Sequence, residues 1–177
     1  MHPMQELATR PWWKRPSGIA VAVIVLGSFG LWAYALSGLA ARTPPDTLSD
    51  TAYAAAAEPR CAAARAAIDE LPLAMTARSA NERAETLDDA TDLVDALIRE
   101  LRRIPVDGEA DRALVDAWLE DWERYSADRR RYAVALRSDA GARFTLTARN
   151  GSNYTRTMDA MADLNGMPSC QTPGDVG

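Results

Sequence analysis

The sequence predicts an all-α protein, with one N-terminal transmembrane helix, then an antiparallel four-helix-like bundle that includes a short extended segment before its last helix. Three observations predict it. Residues 19–41 hold no charged side chain, three later stretches repeat apolar residues at steps of three and four, and Pro, Gly and Asn punctuate the intervals between them.

The uncharged run covers 23 residues, and at about 1.5 Å per residue it spans the roughly 30 Å hydrocarbon layer of a bilayer. Arg10, Lys14 and Arg15 precede it and only Arg42 follows closely, so the excess of positive charge assigns residues 1–18 to the cytoplasm. Trp12 and Trp13 suit the interface on that side. The rival is a cleaved signal peptide, suggested by Ala33, Ala35 and the small residues of 37–41, but the run exceeds the roughly 7 to 15 apolar residues of a signal. A signal-anchor of a bacterial plasma membrane is therefore expected. Ala33, Ser37 and Ala41 recur every four residues, a spacing that lets two such helices pair as a homodimer, although an alanine-rich composition produces it too.

Beyond the anchor, residues 42–50 read as a stiff spacer containing Pro44 and Pro45, residues 51–170 as the extracytoplasmic domain and 171–177 as a flexible, frayed tail. Lys14 is the only lysine, a composition typical of GC-rich bacterial genomes. From residue 42 onward 17 Arg stand against 24 Asp and Glu, a net charge of −7, which makes nucleic acid a poor partner. The single histidine, His2, lies in the tail. Without histidine, the domain lacks the usual nucleophile relays and zinc sites, so no catalytic residue, metal or cofactor is expected.

In the first helix of the domain, Ala57, Cys61, Ala64, Ile68, Leu71 and Met75 share one stripe, and Pro72 ends or kinks it. Ser79 and Glu82 have the spacing of a capping box for the second helix, whose stripe is Leu87, Ala90, Val94, Leu97, Leu101 and Ile104 before Pro105. Asp107 is the expected cap of the third, with Val115, Trp118, Trp122, Tyr125, Tyr132 and Leu136 as its stripe and Arg129 interrupting it. Residues 143–148 alternate apolar and polar and lead into Asn150-Gly151, an extended segment closed by a turn. The fourth helix starts near Ser152, carries Tyr154, Met158, Met161 and Asn165, and stops at Gly166.

An even cysteine count in an exported domain predicts a disulfide between Cys61 and Cys170, and an up-down-up-down bundle returns its last helix to the level where the first begins. A redox-active thiol is disfavoured, because the spacing is not C-x-x-C and no histidine is at hand to activate it.

Trp118, Trp122, Tyr125, Arg129 and Tyr132 form the densest group of informative side chains. They are either an aromatic groove with a cationic end for a ligand or partner, or the interior a bundle requires; the helical spacing favours the interior. Arg129 on an apolar stripe needs a partner, expected to be a carboxylate of the bundle. Asp88, Asp89, Asp92, Asp95 and Glu100 line one helix as a polar face, and paired carboxylates such as Asp121 and Asp128 leave a hydrolase as the remotest reading. The glycosylation-type triplets at Asn150 and Asn153 are read as coincidental.

The motif Asp121-Trp122, Tyr125, Asp128-Arg129, Tyr132-Ala133, together with Asn165-Gly166-Met167-Pro168-Ser169-Cys170, resembles a group of actinobacterial single-pass membrane proteins to which no activity is attached. The likeness extends upstream through Arg60-Cys61 and Leu71-Pro72. It implies a membrane-anchored helical ectodomain and nothing catalytic. The expected function is thus a non-enzymatic interaction or accessory module of the cell envelope, contacting the bilayer and another envelope or membrane protein, with a small-ligand sensing bundle as the alternative.

Overall fold

The computed structural model describes residues 16–36, 46–148 and 153–176, and within them the backbone only at 16–19, 35, 36 and 75. The chain divides into two units, Met1–Pro44 and Pro45–Gly177. In the first, α1 (Pro16–Leu36) is a helix of 21 residues without an acidic or basic side chain, opened by a proline where a missing N–H costs nothing. Every described side chain from 20 to 34 is exposed, Leu26 and Phe29 at 71%. Among the described residues no helix is long and apolar enough to cross a membrane. The far end of the uncharged run, with Ser37 and Ala41, and the tail before Pro16 lie outside the described residues.

The second unit is a helical bundle of α2 (Thr51–Asp69), α3 (Ala80–Leu101), α4 (Glu109–Ser138) and α5 (Tyr154–Leu164), with 3-10 turns at Ala74–Thr76 and Pro168–Cys170. Cross-helix pairs set the directions. Along α3 the partners Asp88, Asp95 and Arg102 meet Arg137, Arg130 and Glu123 of α4, so one number rises as the other falls and the two helices are antiparallel. Trp118 meets Met158 and Asp128 meets Tyr154, which makes α4 and α5 antiparallel as well.

The predicted stripes of α3 and α4 are their buried faces, whereas α2 ends at Asp69, before the half-buried Leu71 and before Met75, whose side chain lies outside the described residues. In α3, Leu87, Ala90, Val94, Leu97 and Leu101 are buried, and Ile104 follows just past its end. In α4 all six stripe residues are buried, and Arg129 is buried with them. In α2, Ala57, Cys61 and Ile68 are buried and Ala64 packs against the core, joined by Tyr53 and Ala54, which the stripe omits. Two clusters form the interior, and Phe144 packs against both.

Ser79 caps α3 as expected, accepting from the Glu82 amide at 3.1 Å. Glu82 does not return to Ser79; its carboxylate accepts from the Arg78 amide at 2.8 Å. Asp107 does not cap α4. Gly108 occupies that position with φ of 87°, a left-handed backbone that favours glycine, and the Asp107 amide instead donates to Asp50, the cap of α2. Asn153 caps α5, and Gly166 at φ of 69° ends it as predicted.

Two boundaries differ from the sequence reading. The spacer is shorter than 42–50: Leu48 is buried, its amide donates to Asn165 Oδ1 at 2.7 Å, and Asn165 Nδ2 donates to the Asp46 carbonyl at 2.9 Å. Residues 143–148 are non-helical and alternate as expected, without pairing as a strand among the described residues: Phe144 and Leu146 turn inward while 143, 145 and 147 stay exposed. Residues 171–176 are not frayed. Arg65 donates to the Gln171 carbonyl, Thr172 pairs twice with Asp159, Tyr125 donates to the Pro173 carbonyl, and Val176 packs on the second cluster. The turn at Asn150-Gly151 lies outside the described residues.

Candidate functional site

Cys61 leaves α2 on its buried face and Cys170 sits in the 3-10 turn after α5. They form a disulfide, with Cα atoms 5.0 Å apart and a sequence separation of 109. Both sulfurs are buried, so the bridge is a structural closure with no exposed thiol among the described residues.

The five aromatic and arginine candidates do come together, but inside the fold. Trp118, Trp122, Tyr125 and Tyr132 are all buried. Edge-to-face contacts link Trp118 to Trp122, Trp122 to Tyr125, and Tyr125 to Phe144, with ring centroids 5.9 to 6.2 Å apart. Each such contact contributes roughly 0.5–1.5 kcal/mol beyond area burial. Trp118 Nε1 donates to the Met158 carbonyl at 3.2 Å, tying the ladder to α5.

Arg129 is fully buried at the centre of this arrangement. Nη1 and Nη2 donate to the two carboxylate oxygens of Asp175 at 2.6 and 2.7 Å, and Nε donates to Thr91 Oγ1 at 3.0 Å. The guanidinium also stands 5.6 Å from the Tyr125 ring centroid. The hydroxyls of Thr91 and Tyr125 spend their protons on the Leu87 and Pro173 carbonyls, which leaves lone pairs facing the guanidinium. Burial alone would lower the Arg129 pKa; the Asp175 hydrogen bonds and charge outweigh it and raise the pKa. Burial raises the Tyr125 pKa, partly opposed by Arg129.

Asp128 is a second buried hub. It accepts from the Thr147 amide and hydroxyl, both at 2.7 Å, from Tyr154 Oη at 2.5 Å, and from Arg131. It therefore fastens residues 142–148 and the start of α5 to α4. Asp121 is also buried, with Arg124 at 3.6 Å. Neither carboxylate lines the groove described below, so a hydrolase built on this pair gains no support from the geometry. Part of the acidic face of α3 pairs with α4: Arg137 reaches Asp88 at 2.5 Å, and Arg130 reaches Asp92 at 2.5 Å and Asp95 at 2.7 Å, two carboxylates that raise its pKa. Among the described residues no group of three His, Cys, Asp or Glu is arranged to hold a metal ion.

The sequence did not identify Asp175 as the partner of Arg129. One signal existed, for Asp175 is the only charged residue after Asp163. Asp175 also lines a groove of about 400 Å3 formed by Ile68, Leu71, Leu73, Leu87 and Ala90. None of the five aromatic and arginine candidates lines this groove. Comparison of the chain with protein-family models, curated proteins and solved structures finds no match.

Proposed function

We propose that the chain is a single-pass protein of a bacterial plasma membrane, with a cytoplasmic N-terminus and an extracytoplasmic helical domain. That domain acts as a non-enzymatic interaction or accessory module of the cell envelope, docking on another envelope or membrane protein. Pairing of two anchors through Ala33, Ser37 and Ala41 belongs to the same proposal, as does the likeness to actinobacterial anchored proteins.

The observation that carries this reading is a joint one. An uncharged run of 23 residues precedes a domain whose two cysteines are oxidised to one another, the combination that export through an anchor predicts. The described side chains of that run, exposed from 20 to 34, find their apolar solvent in lipid. Photo-crosslinking in intact cells from exposed positions of the domain, followed by identification of the adduct, tests the accessory role. A discrete protein adduct supports it, and adducts to lipid alone refute it.

A second reading, a small-ligand bundle, draws on the groove beside Asp175 and not on the aromatic ladder, whose rings are buried. A thermal-shift screen against metabolites and envelope fragments separates the two, since a ligand of the folded state raises its melting temperature.

A further inference from the structure

We propose that the groove between the end of α2, residues 71–74 and α3 docks a segment of a partner protein presenting two or three apolar side chains together with a Lys or Arg. The inference rests on the interaction-module reading and names the partner's chemistry.

The walls supply the apolar part. Ile68, Leu71, Pro72, Leu73, Leu87 and Ala90 enclose about 400 Å3, within the roughly 300–1,000 Å3 of sites that accept small groups. Leu73 is 64% exposed at its edge, one of three large apolar side chains the domain leaves in water among the described residues.

The charges supply the sign. The residues that line the groove include two carboxylates, Asp69 and Asp175, and no basic side chain. Asp175 is already neutralised by Arg129, which leaves Asp69 as the unbalanced charge. Asp69 is exposed, makes no ion pair among the described residues and stands in the last turn of α2. That turn carries no basic residue, so the negative end of the helix dipole is uncompensated within the helix. A cation beside apolar side chains matches every one of these features; an anionic occupant meets Asp69 and the helix end as repulsion.

The test uses the full chain in phosphatidylcholine nanodiscs and a fluorescent helical peptide with Leu on one face and Arg on its flanks, read by anisotropy against empty nanodiscs. The peptide is expected to bind, and Leu73→Ser and Asp69→Arg, both exposed substitutions, each to weaken it about tenfold. Val134→Ser, at an apolar residue of α4 that is 63% exposed, is expected to leave binding unchanged. Equal binding of a peptide with Glu in place of Arg, or equal loss with Val134→Ser, would overturn the proposal. So would saturation by dodecyltrimethylammonium with no peptide bound, which reassigns the groove to a small cation. The peptide measurement reads the groove alone, so its failure leaves the crosslinking test of the accessory role standing.

Discussion

Both terminal nitrogens of Arg129 end on the carboxylate of Asp175, 46 residues further along the chain, and no part of the arginine reaches solvent. The pair joins α4 to residues that follow the disulfide. Removing one partner of a buried pair costs more than the pair itself is worth, because the other charge is stranded.

Asp175→Asn is accordingly expected to lower the unfolding free energy by about 2–4 kcal/mol. This is less than the roughly 3–5 kcal/mol of a fully enclosed pair, since the Asp175 side chain is 26% exposed and partly screened. Urea denaturation followed by circular dichroism measures it. Arg129→Met in the same chain is expected to restore most of the loss, and failure of that rescue contradicts the stranded-charge account.

Asp128 predicts a local signature. Asp128→Ala strips acceptors from the Thr147 amide, the Thr147 hydroxyl and the Tyr154 phenol, costing about 2–4 kcal/mol. Amide exchange is expected to quicken in residues 142–148 before it quickens in α3.

The disulfide closes a loop spanning 109 residues in sequence, for which loop-closure entropy gives about 4–5 kcal/mol of stabilisation. Reductant is expected to lower the melting temperature of the natural chain and to leave the Cys61→Ala, Cys170→Ala double variant unmoved at its lower value.

Alkaline pH probes the core tyrosines. Burial raises the pKa of Tyr53, Tyr125 and Tyr154, the last to about 12. Their neutral forms stabilise the fold fully below the free phenol value near 10, and that contribution is lost as pH rises through the folded values. Absorbance at about 295 nm, where tyrosinate is read, is expected to show these three ionising only as helical circular dichroism collapses.

Periodicity is local, which is why the stripes of α3 and α4 and the Ser79 cap were legible in the sequence. The cysteine pairing was legible because only two cysteines exist and a bundle returns its ends together. Partners that depend on tertiary placement were not: nothing along α4 says that Arg129 meets Asp175, or that Asn165 reaches Asp46 and Leu48. Asp107 misled because glycine takes the left-handed cap position at Gly108, freeing the Asp107 amide to bond Asp50. The aromatic group was recognised as a unit, and its spacing favoured the interior position it holds.

The proposed placement of the acidic domain outside a plasma membrane is open to a direct topology measurement. Intact cells bearing an epitope after Gly177 are treated with external protease and compared with lysed cells. Loss of the epitope from intact cells is the expected result; an epitope that survives until lysis contradicts the account.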